Sequence, residues 1–189
     1  MKGQQIVTTI LITAILLGLV GSVYIWGIPL IEKNRDISLL NSAEEFMHNL
    51  NEKIKNVAAH GGREQIEIPL GRVYFESDID LNLETKNTVY ASEAWIPLGE
   101  NACMMSGGTW GVDYQDVLCV RSEEIGEEYE TDYNLKYINL TSGTKNYNYT
   151  IELVGKRDSG KEDNVIIIER TGIERSEDYV KTLISIRIE

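Results

Sequence analysis

The run Ile6-Val-Thr-Thr-Ile-Leu-Ile-Thr-Ala-Ile-Leu-Leu-Gly-Leu-Val-Gly-Ser-Val-Tyr-Ile-Trp-Gly-Ile-Pro-Leu-Ile31 decides the architecture of this chain. It contains 26 residues and no charge. As an α-helix it would be about 39 Å long, which exceeds the ~30 Å hydrocarbon core of a bilayer. A water-soluble domain would not leave such a helix exposed, so the run predicts a membrane segment.

The length of the run argues against a cleaved secretory signal peptide. Such a peptide has an apolar core of about 7–15 residues, followed by a small-x-small cleavage site. Here the nearest pair of small residues, Gly18 and Gly21, lies inside the run, and the apolar pattern continues beyond it. We therefore expect the segment to be retained.

A second, amphipathic helix is predicted directly after the apolar run and the charged stretch Glu32-Lys-Asn-Arg-Asp36. Its apolar residues recur at alternating spacings of three and four, which is the pattern of a helix with one apolar seam. They are Leu40, Ala43, Met47, Leu50, Ile54 and Val57. If continuous, residues 4–60 form a rod of roughly 85 Å that ends at Gly61-Gly62. We expect Pro29 to kink it, because proline lacks the backbone N–H and clashes with the preceding turn.

Residues 62–189 are expected to form a single β-rich head domain. Apolar residues alternate in several short segments, which indicates strands with one buried face. The clearest are Ile66 to Leu70, Ile79 to Leu83, Tyr147 to Leu153 and Ile184 to Ile188, with further candidates at 73–75, 117–120, 135–140 and 165–168. Only residues 174–179 hint at another helix. We predict an α+β fold in which an antiparallel, sandwich-like sheet domain packs on the amphipathic helix.

The charge of the chain excludes one class of partner. There are 30 acidic and 18 basic residues, giving a net charge of -12, so we expect no binding to nucleic acid, whose phosphates would be repelled. Orientation from charge is ambiguous, because Lys2 precedes the apolar run while Lys33 and Arg35 follow it.

Cysteines and glycosylation sequons favour an outward-facing head. Cys103 and Cys119 are the two cysteines, and we expect them to form one disulfide, worth about 3 kcal/mol by loop-closure entropy, rather than two unrelated buried thiols. Two N-glycosylation sequons occur close together, at Asn139-Leu-Thr141 and Asn148-Tyr-Thr150. Both features are typical of extracellular proteins.

We find no pattern that predicts an enzyme, a cofactor or a metal. The two histidines, His48 and His60, lie on the amphipathic helix without convergent partners, and the sequence has no zinc motif. The pairs Asp78/Asp80 and Asp113/Asp116, and the acidic run 123–130, do not form a calcium loop and are interpreted as solvated carboxylates. Gly107-Gly108-Thr-Trp-Gly111 lacks the lysine of a phosphate loop. The aromatic residues are assigned to the core rather than to an exposed surface that binds sugars or other subunits. They are Trp95, Trp110, Tyr114, Tyr133, Tyr137, Tyr147 and Tyr149.

Residues 1–60 resemble one family. A very short basic leader ending in Lys2-Gly3, then Gln4-Gln5, the long apolar helix and the amphipathic helix are similar to archaeal class III signal peptide proteins, the type IV pilin and archaellin-like group. The resemblance implies cleavage after Gly3 by a prepilin-type peptidase, which leaves the helix intact for polymerisation. Thr8 stands at the fifth mature position, where many bacterial pilins carry glutamate.

Two functions are therefore expected, and neither is enzymatic. The first is a type IV pilin-like subunit with a leader at 1–3, a membrane and filament helix at 4–60 and an extracellular head at 62–189. It would assemble with further copies or with other pilin-like subunits into a cell-surface filament, and Gly18, Gly21 and Gly27 would allow close helix packing. The alternative is a single-pass, membrane-anchored extracellular β domain that binds a ligand or an envelope partner.

Overall fold

A computed structural model describes residues 2–143, 147–155 and 165–189, with side chains from Val7 onward. The N-terminal part is one uninterrupted helical rod. It consists of α1 (Lys2–Ser22), a π-helical turn (Val23–Gly27) and α2 (Ile28–His60). The strands are β1 (Arg63–Glu67), β2 (Arg72–Phe75), β3 (Ile79–Thr85), β4 (Ile96–Pro97), β5 (Gly107–Thr109), β6 (Asp116–Ile125), β7 (Glu128–Tyr137), β8 (Asn139–Thr141), β9 (Asn148–Gly155), β10 (Val165–Arg175) and β11 (Tyr179–Ile188).

Two sheets make up the described part of the head. The order is β1-β10-β11-β9-β8-β5 in the first sheet and β2-β3-β7-β6-β4 in the second. Most pairs are antiparallel, and β9/β11 and β5/β8 are parallel. The predicted α+β class, with a long helix followed by a mostly antiparallel β head, is confirmed.

The amphipathic seam of α2 forms the centre of the main core. Six of its apolar residues are completely buried: Leu40, Ala43, Met47, Leu50, Ile54 and Val57. The helix contacts β1, β10 and β11 of the first sheet and β3 and β7 of the second. Truncating one of these leucines to alanine typically costs about 2–5 kcal/mol, so the helix and the head form one folded unit.

A smaller core lies beneath the disulfide-closed segment. Val117, Cys119, Ile138 and Leu140 are buried there. Trp95, Cys103, Met105 and Tyr149 are partly buried against them. This cluster joins the outer face of β6 to the inner face of β8.

Three details of the strand prediction were wrong. The segment 135–140 is not one strand, because β7 ends at Tyr137 and β8 begins at Asn139 in the other sheet. Residues 174–179 are not helical; they contain the end of β10, a turn and the start of β11. The first strand ends at Glu67 rather than at Leu70.

Candidate functional site

The candidate site is the apolar part of the helical rod, because its described large apolar side chains are exposed instead of being buried against the head. From Val7 to Ile31 the large apolar side chains are exposed; Leu17 is 69% and Trp26 is 82% accessible. A contiguous apolar surface of this size marks a membrane or protein interaction site. By length and composition this helix could cross a membrane.

Two hydroxyl groups within this segment are satisfied by the helix itself. The Thr13 hydroxyl donates to the carbonyl of Thr9 at 2.9 Å, and the Ser22 hydroxyl donates to the carbonyl of Gly18 at 2.9 Å. Such internal bonds matter in hydrocarbon, where an unsatisfied polar group costs several kcal/mol. These side chains are therefore compatible with an environment that excludes water.

The glycines of the segment leave open surface on the monomer. A Cβ atom placed on Gly18 or Gly21 would meet nothing within 4 Å, and one on Gly27 would make only an ordinary contact with Val23. No described part of the chain therefore packs so close to Gly18 or Gly21 that it requires a glycine there. Small residues of this kind let a second helix approach closely.

The helix changes from α-helical to π-helical winding directly before Pro29. The π-helical turn Val23–Gly27 immediately precedes it, and Pro29 lies in the first turn of α2. Because proline donates no backbone hydrogen bond and its ring crowds the carbonyl four residues earlier, which is that of Ile25, the local winding changes. The same turn carries Tyr24 and Trp26, both strongly exposed, as is typical of the boundary between membrane and water.

The head begins immediately beyond the apolar segment. Asp36 is buried and accepts hydrogen bonds from both the backbone N–H and the side-chain amide of Asn87, at 3.0 and 2.8 Å. Lys86 also forms an ion pair with Glu32 at 3.6 Å. From Ile31 to Asp36 the helix rises only about 7 Å, so the head has no flexible spacer.

Further polar contacts fix the head along the rest of α2. The Tyr90 hydroxyl donates to Glu44 at 2.5 Å, and the Tyr137 hydroxyl donates to Asn51 at 2.8 Å. Burial, and then the hydrogen bond to Glu44, raise the pKa of Tyr90 to about 12. Burial also raises the pKa of Tyr137, so both phenols stay neutral hydrogen-bond donors at physiological pH.

The last turn of α2 is held by Arg170 of β10. Its guanidinium donates to the carbonyls of Ala58 and Ala59, at 3.1 and 3.5 Å. Carbonyls in the last turn of a helix have no N–H donor within the helix, so Arg170 satisfies them from outside. A positive charge at a helix C-terminus is also favourable. Gly61 follows with a φ of 79°, and its N–H donates to the carbonyl of Val57.

Cys103 and Cys119 are joined by a disulfide in the head. It ties the segment before β5 to β6, and the Lys136 amine supports it by donating to the carbonyl of Cys103 at 2.9 Å. Two residues beyond Cys119, the Arg121 guanidinium lies 4.8 Å above the ring of Trp95. The disulfide thus fastens a loop-rich region that has only a small core of its own.

The two sequon asparagines are neighbours in space. Thr141 pairs with Asn148 in the antiparallel register of β8 and β9. The Thr141 hydroxyl donates to the Asn148 side chain at 2.9 Å, and the Thr150 hydroxyl donates to that of Asn139. All four side chains lie on the outer face of the six-stranded sheet, because Leu140, between the first two, points into the core.

The remaining predicted candidates are not brought together. His48 lies beside Glu44, and the His60 ring lies against the carbonyl of Asn56. Asp116 accepts from Asn51 at 2.8 Å and pairs with Lys55 at 3.5 Å. Among the residues that the structure describes, no group of three His, Cys, Asp or Glu side chains could hold a metal ion.

The aromatic residues divide into two groups. Tyr133 is completely buried, whereas Trp110 and Tyr114 are 51% and 56% accessible. The assignment of Trp110 and Tyr114 to the core was wrong. The Trp110 ring instead stacks on Tyr149 with ring centroids 4.2 Å apart.

Gly3 and Gln4, the residues of the expected processing site, belong to the first turns of α1. The side chain of Gln4 and all of Met1 lie outside the described residues. Comparison with known proteins found no matching protein family, no similar curated protein and no similar solved structure.

Proposed function

We propose that this chain is a non-enzymatic, type IV pilin-like subunit of a cell-surface filament, processed after Gly3 and assembled through its N-terminal helix. The observation that carries the proposal is the fully exposed apolar helix, which continues without a break into the buried helix of the head. Residues 7–31 are thereby rigidly connected to the head domain, so contacts between these helices would also position the heads.

The exposed helix has two environments in this proposal. In the membrane, lipid covers the apolar side chains before assembly. In the filament, helices of neighbouring copies cover one another, and association depends on close van der Waals packing because lipid is equally apolar. The open surfaces of Gly18 and Gly21 supply positions for such close approach.

The properties of the head support an extracellular location. The disulfide between Cys103 and Cys119 is typical of proteins that leave the reducing cytosol. The two sequons lie on the outer face of one sheet, where a glycosyltransferase could reach the exposed Asn139. Because the head starts about 7 Å beyond Ile31, it would stand directly on the membrane surface before extraction.

Processing would be the step that commits the subunit to assembly. A prepilin-type peptidase would hydrolyse the peptide bond between Gly3 and Gln4, removing Met1 to Gly3 together with the Lys2 charge. The helix from Gln4 onward would then be free to leave the bilayer. Partners of the chain would be the membrane, the peptidase and further pilin-like subunits.

The proposal is tested by blocking the cleavage. In a Gly3→Val variant we expect the uncleaved chain to stay in membranes and to be absent from material sheared off cells. The matched control is Gly99→Ala, at an exposed glycine where an added Cβ meets nothing within 4 Å. If Gly3→Val chains reach the sheared fraction as well as the control, processing is not required. An unsubstituted chain that is found only in membranes would instead indicate an anchored extracellular binding domain.

A further inference from the structure

A shallow groove lies on the outer face of the six-stranded sheet, on the side opposite α2. Its volume is about 590 Å³. Its lining comes from β5, β8, β9 and β11 and consists mostly of polar residues: Gly107, Asn139, Thr141, Asn148, Thr150, Glu152, Tyr179 and Lys181. Amide, hydroxyl and charged groups beside one aromatic ring suit a ligand with many hydroxyl groups.

Strand register arranges this lining in two rows across the sheet. One row runs Gly107, Asn139, Thr150, Lys181, and the other runs Thr109, Thr141, Asn148, Tyr179. Each row therefore contains the asparagine of one sequon and the threonine of the other. The two asparagines are diagonal neighbours, about 7 Å apart.

Hydrogen bonds orient the two asparagine amides in opposite directions. The amide oxygen of Asn139 accepts from Thr150 on β9, so its nitrogen points away from β9, toward Gly107. The amide oxygen of Asn148 accepts from Thr141 on β8, so its nitrogen points toward Tyr179.

The surroundings of the two nitrogens differ. Gly107 has no side chain, so the space next to Asn139 is open, and Asn139 itself is exposed. Asn148 is half-buried, between Thr141 on one side and the ring of Tyr179 on the other. A bulky group can be attached to Asn139 without displacing a neighbour, but on Asn148 it would meet the ring.

We propose that Asn139 alone carries an N-linked saccharide and that the first sugars of this saccharide occupy the groove, covering Asn148. This inference rests on the outward-facing head of the proposed function. The Glu152 and Lys181 side chains, paired at 2.7 Å, lie at the far side of the groove and offer an acceptor and a donor to sugar hydroxyls. The Tyr179 ring, 39% accessible, offers an apolar face to a sugar ring.

The modification requires a glycosyl donor whose anomeric carbon is linked to a lipid phosphate. The amide nitrogen of Asn139 forms a bond to that carbon, while the bond from the carbon to the phosphate oxygen breaks. The electron pair of the broken bond stays on the phosphate oxygen. The proton lost by the amide balances the charge on the phosphate, and nothing is oxidised or reduced.

The test is intact-mass analysis with glycopeptide mapping of the full-length protein from its native cells. For the unsubstituted chain we expect one saccharide, with occupancy at Asn139 about tenfold or more above that at Asn148, which corresponds to about 1.4 kcal/mol. Asn139→Gln should remove the saccharide, and Asn148→Gln, the matched control, should leave the mass of the attached saccharide unchanged. Two saccharides per chain, or one on Asn148, would overturn the inference.

A second variant tests the role of the tyrosine ring. In the Asn139→Gln background, Tyr179→Ala should open the space beside Asn148 and allow that residue to be modified. A chain that remains unmodified would show that the ring does not decide the choice.

Protease treatment of intact cells separates the two proposals. A head that is digested from outside but carries no saccharide contradicts this inference and leaves the filament proposal standing. A head that is protected from the protease contradicts both.

Discussion

The hydroxyl of Tyr133 donates a hydrogen bond to the backbone carbonyl of Leu40, 3.0 Å away, and both residues are completely inaccessible to solvent. The bond joins the middle of β7 to α2 only nine residues beyond the end of the apolar run. Burial raises the pKa of Tyr133, and nearby Tyr90 and Glu44 raise it further, so the phenol remains a neutral donor. The head is thus fastened close to the end of its own helix that carries the exposed apolar run.

Removing this hydroxyl should weaken the attachment without changing the shape of the core. We expect Tyr133→Phe to lower the free energy of unfolding by about 1 kcal/mol, because one buried hydrogen bond is lost. Denaturant unfolding of the full-length protein in detergent measures the effect. Tyr74→Phe, at an exposed position on β2, is the control. Equal effects of the two substitutions would show that the Leu40 contact is unimportant.

Alanine substitutions at the two adjacent glycines between helix and head should differ in their effect on stability. Both Gly61 and Gly62 have positive φ angles, of 79° and 94°, so each alanine substitution carries backbone strain of about 1–3 kcal/mol. A Cβ on Gly61 would also overlap the Arg170 guanidinium, whereas one on Gly62 would meet nothing within 4 Å.

We therefore expect Gly61→Ala to be more destabilising than Gly62→Ala by about 1 kcal/mol, because displacing Arg170 breaks its hydrogen bonds to the helix carbonyls. Thermal unfolding of both variants, and of each in an Arg170→Ala background, provides the measurement. If the difference persists without Arg170, its cause lies elsewhere.

Two carboxyl groups should affect the pH dependence of stability in opposite directions. The hydrogen bond from Lys53, and then that from Asn56, lower the pKa of Glu64. Burial, and then the charges of Asp78 and Asp132, raise the pKa of Asp80 against the hydrogen bond from Asn134.

Glu64 thus stabilises the fold above its unfolded pKa, and this contribution is lost as the pH falls through its folded pKa. For Asp80 the sign is reversed, because stability falls as the pH rises from its unfolded to its folded pKa. At pH 7 we expect Glu64→Gln to be destabilising by about 0.5 kcal/mol and Asp80→Asn to be stabilising. Both differences should diminish as the pH falls through these pKa values, and unfolding curves between pH 3 and 8 would show it. A pH-independent difference for either variant would contradict the assignment.

The membrane glycines should matter for assembly and not for folding. A Gly18→Leu/Gly21→Leu chain should unfold like the original, because a Cβ added at either position would meet nothing within 4 Å. Its amount in sheared surface material should fall about tenfold or more, since loss of close helix packing costs over 1 kcal/mol. Val20→Leu, which enlarges an already apolar exposed side chain, is the control. Undiminished filaments in the glycine variant would exclude these positions from the helix interface.

The helical part of the fold was predictable because it depends on local pattern. The three-four alternation from Leu40 to Val57 identifies the buried seam, and each of its residues is buried. The segment Ile79 to Leu83 likewise alternates as a half-buried strand should, and it forms β3. Hydrophobic period alone determines which side of such an element is buried.

The rest depends on long-range pairing, which a single sequence does not reveal. Nothing local indicates that the chain changes sheets at Ile138, because Leu135 and Leu140 both look like strand residues with buried side chains. The parallel alignment of β9 with β11 requires knowledge of the whole topology. The same holds for the candidate groove, since the positions of Asn139 and Asn148 follow from the register of β8 and β9. Asp36 and Arg170, which fix the two ends of the head to the helix, had no sequence signal beyond being charged.

The most direct test of the account is the N-terminus of the native protein, determined by intact mass in material sheared from cells and in membranes. The filament function predicts a species in the sheared fraction that begins at Gln4, with the uncleaved precursor confined to membranes. A chain that retains Met1 or Lys2 and is found only in membranes would contradict the filament function and leave an anchored extracellular domain.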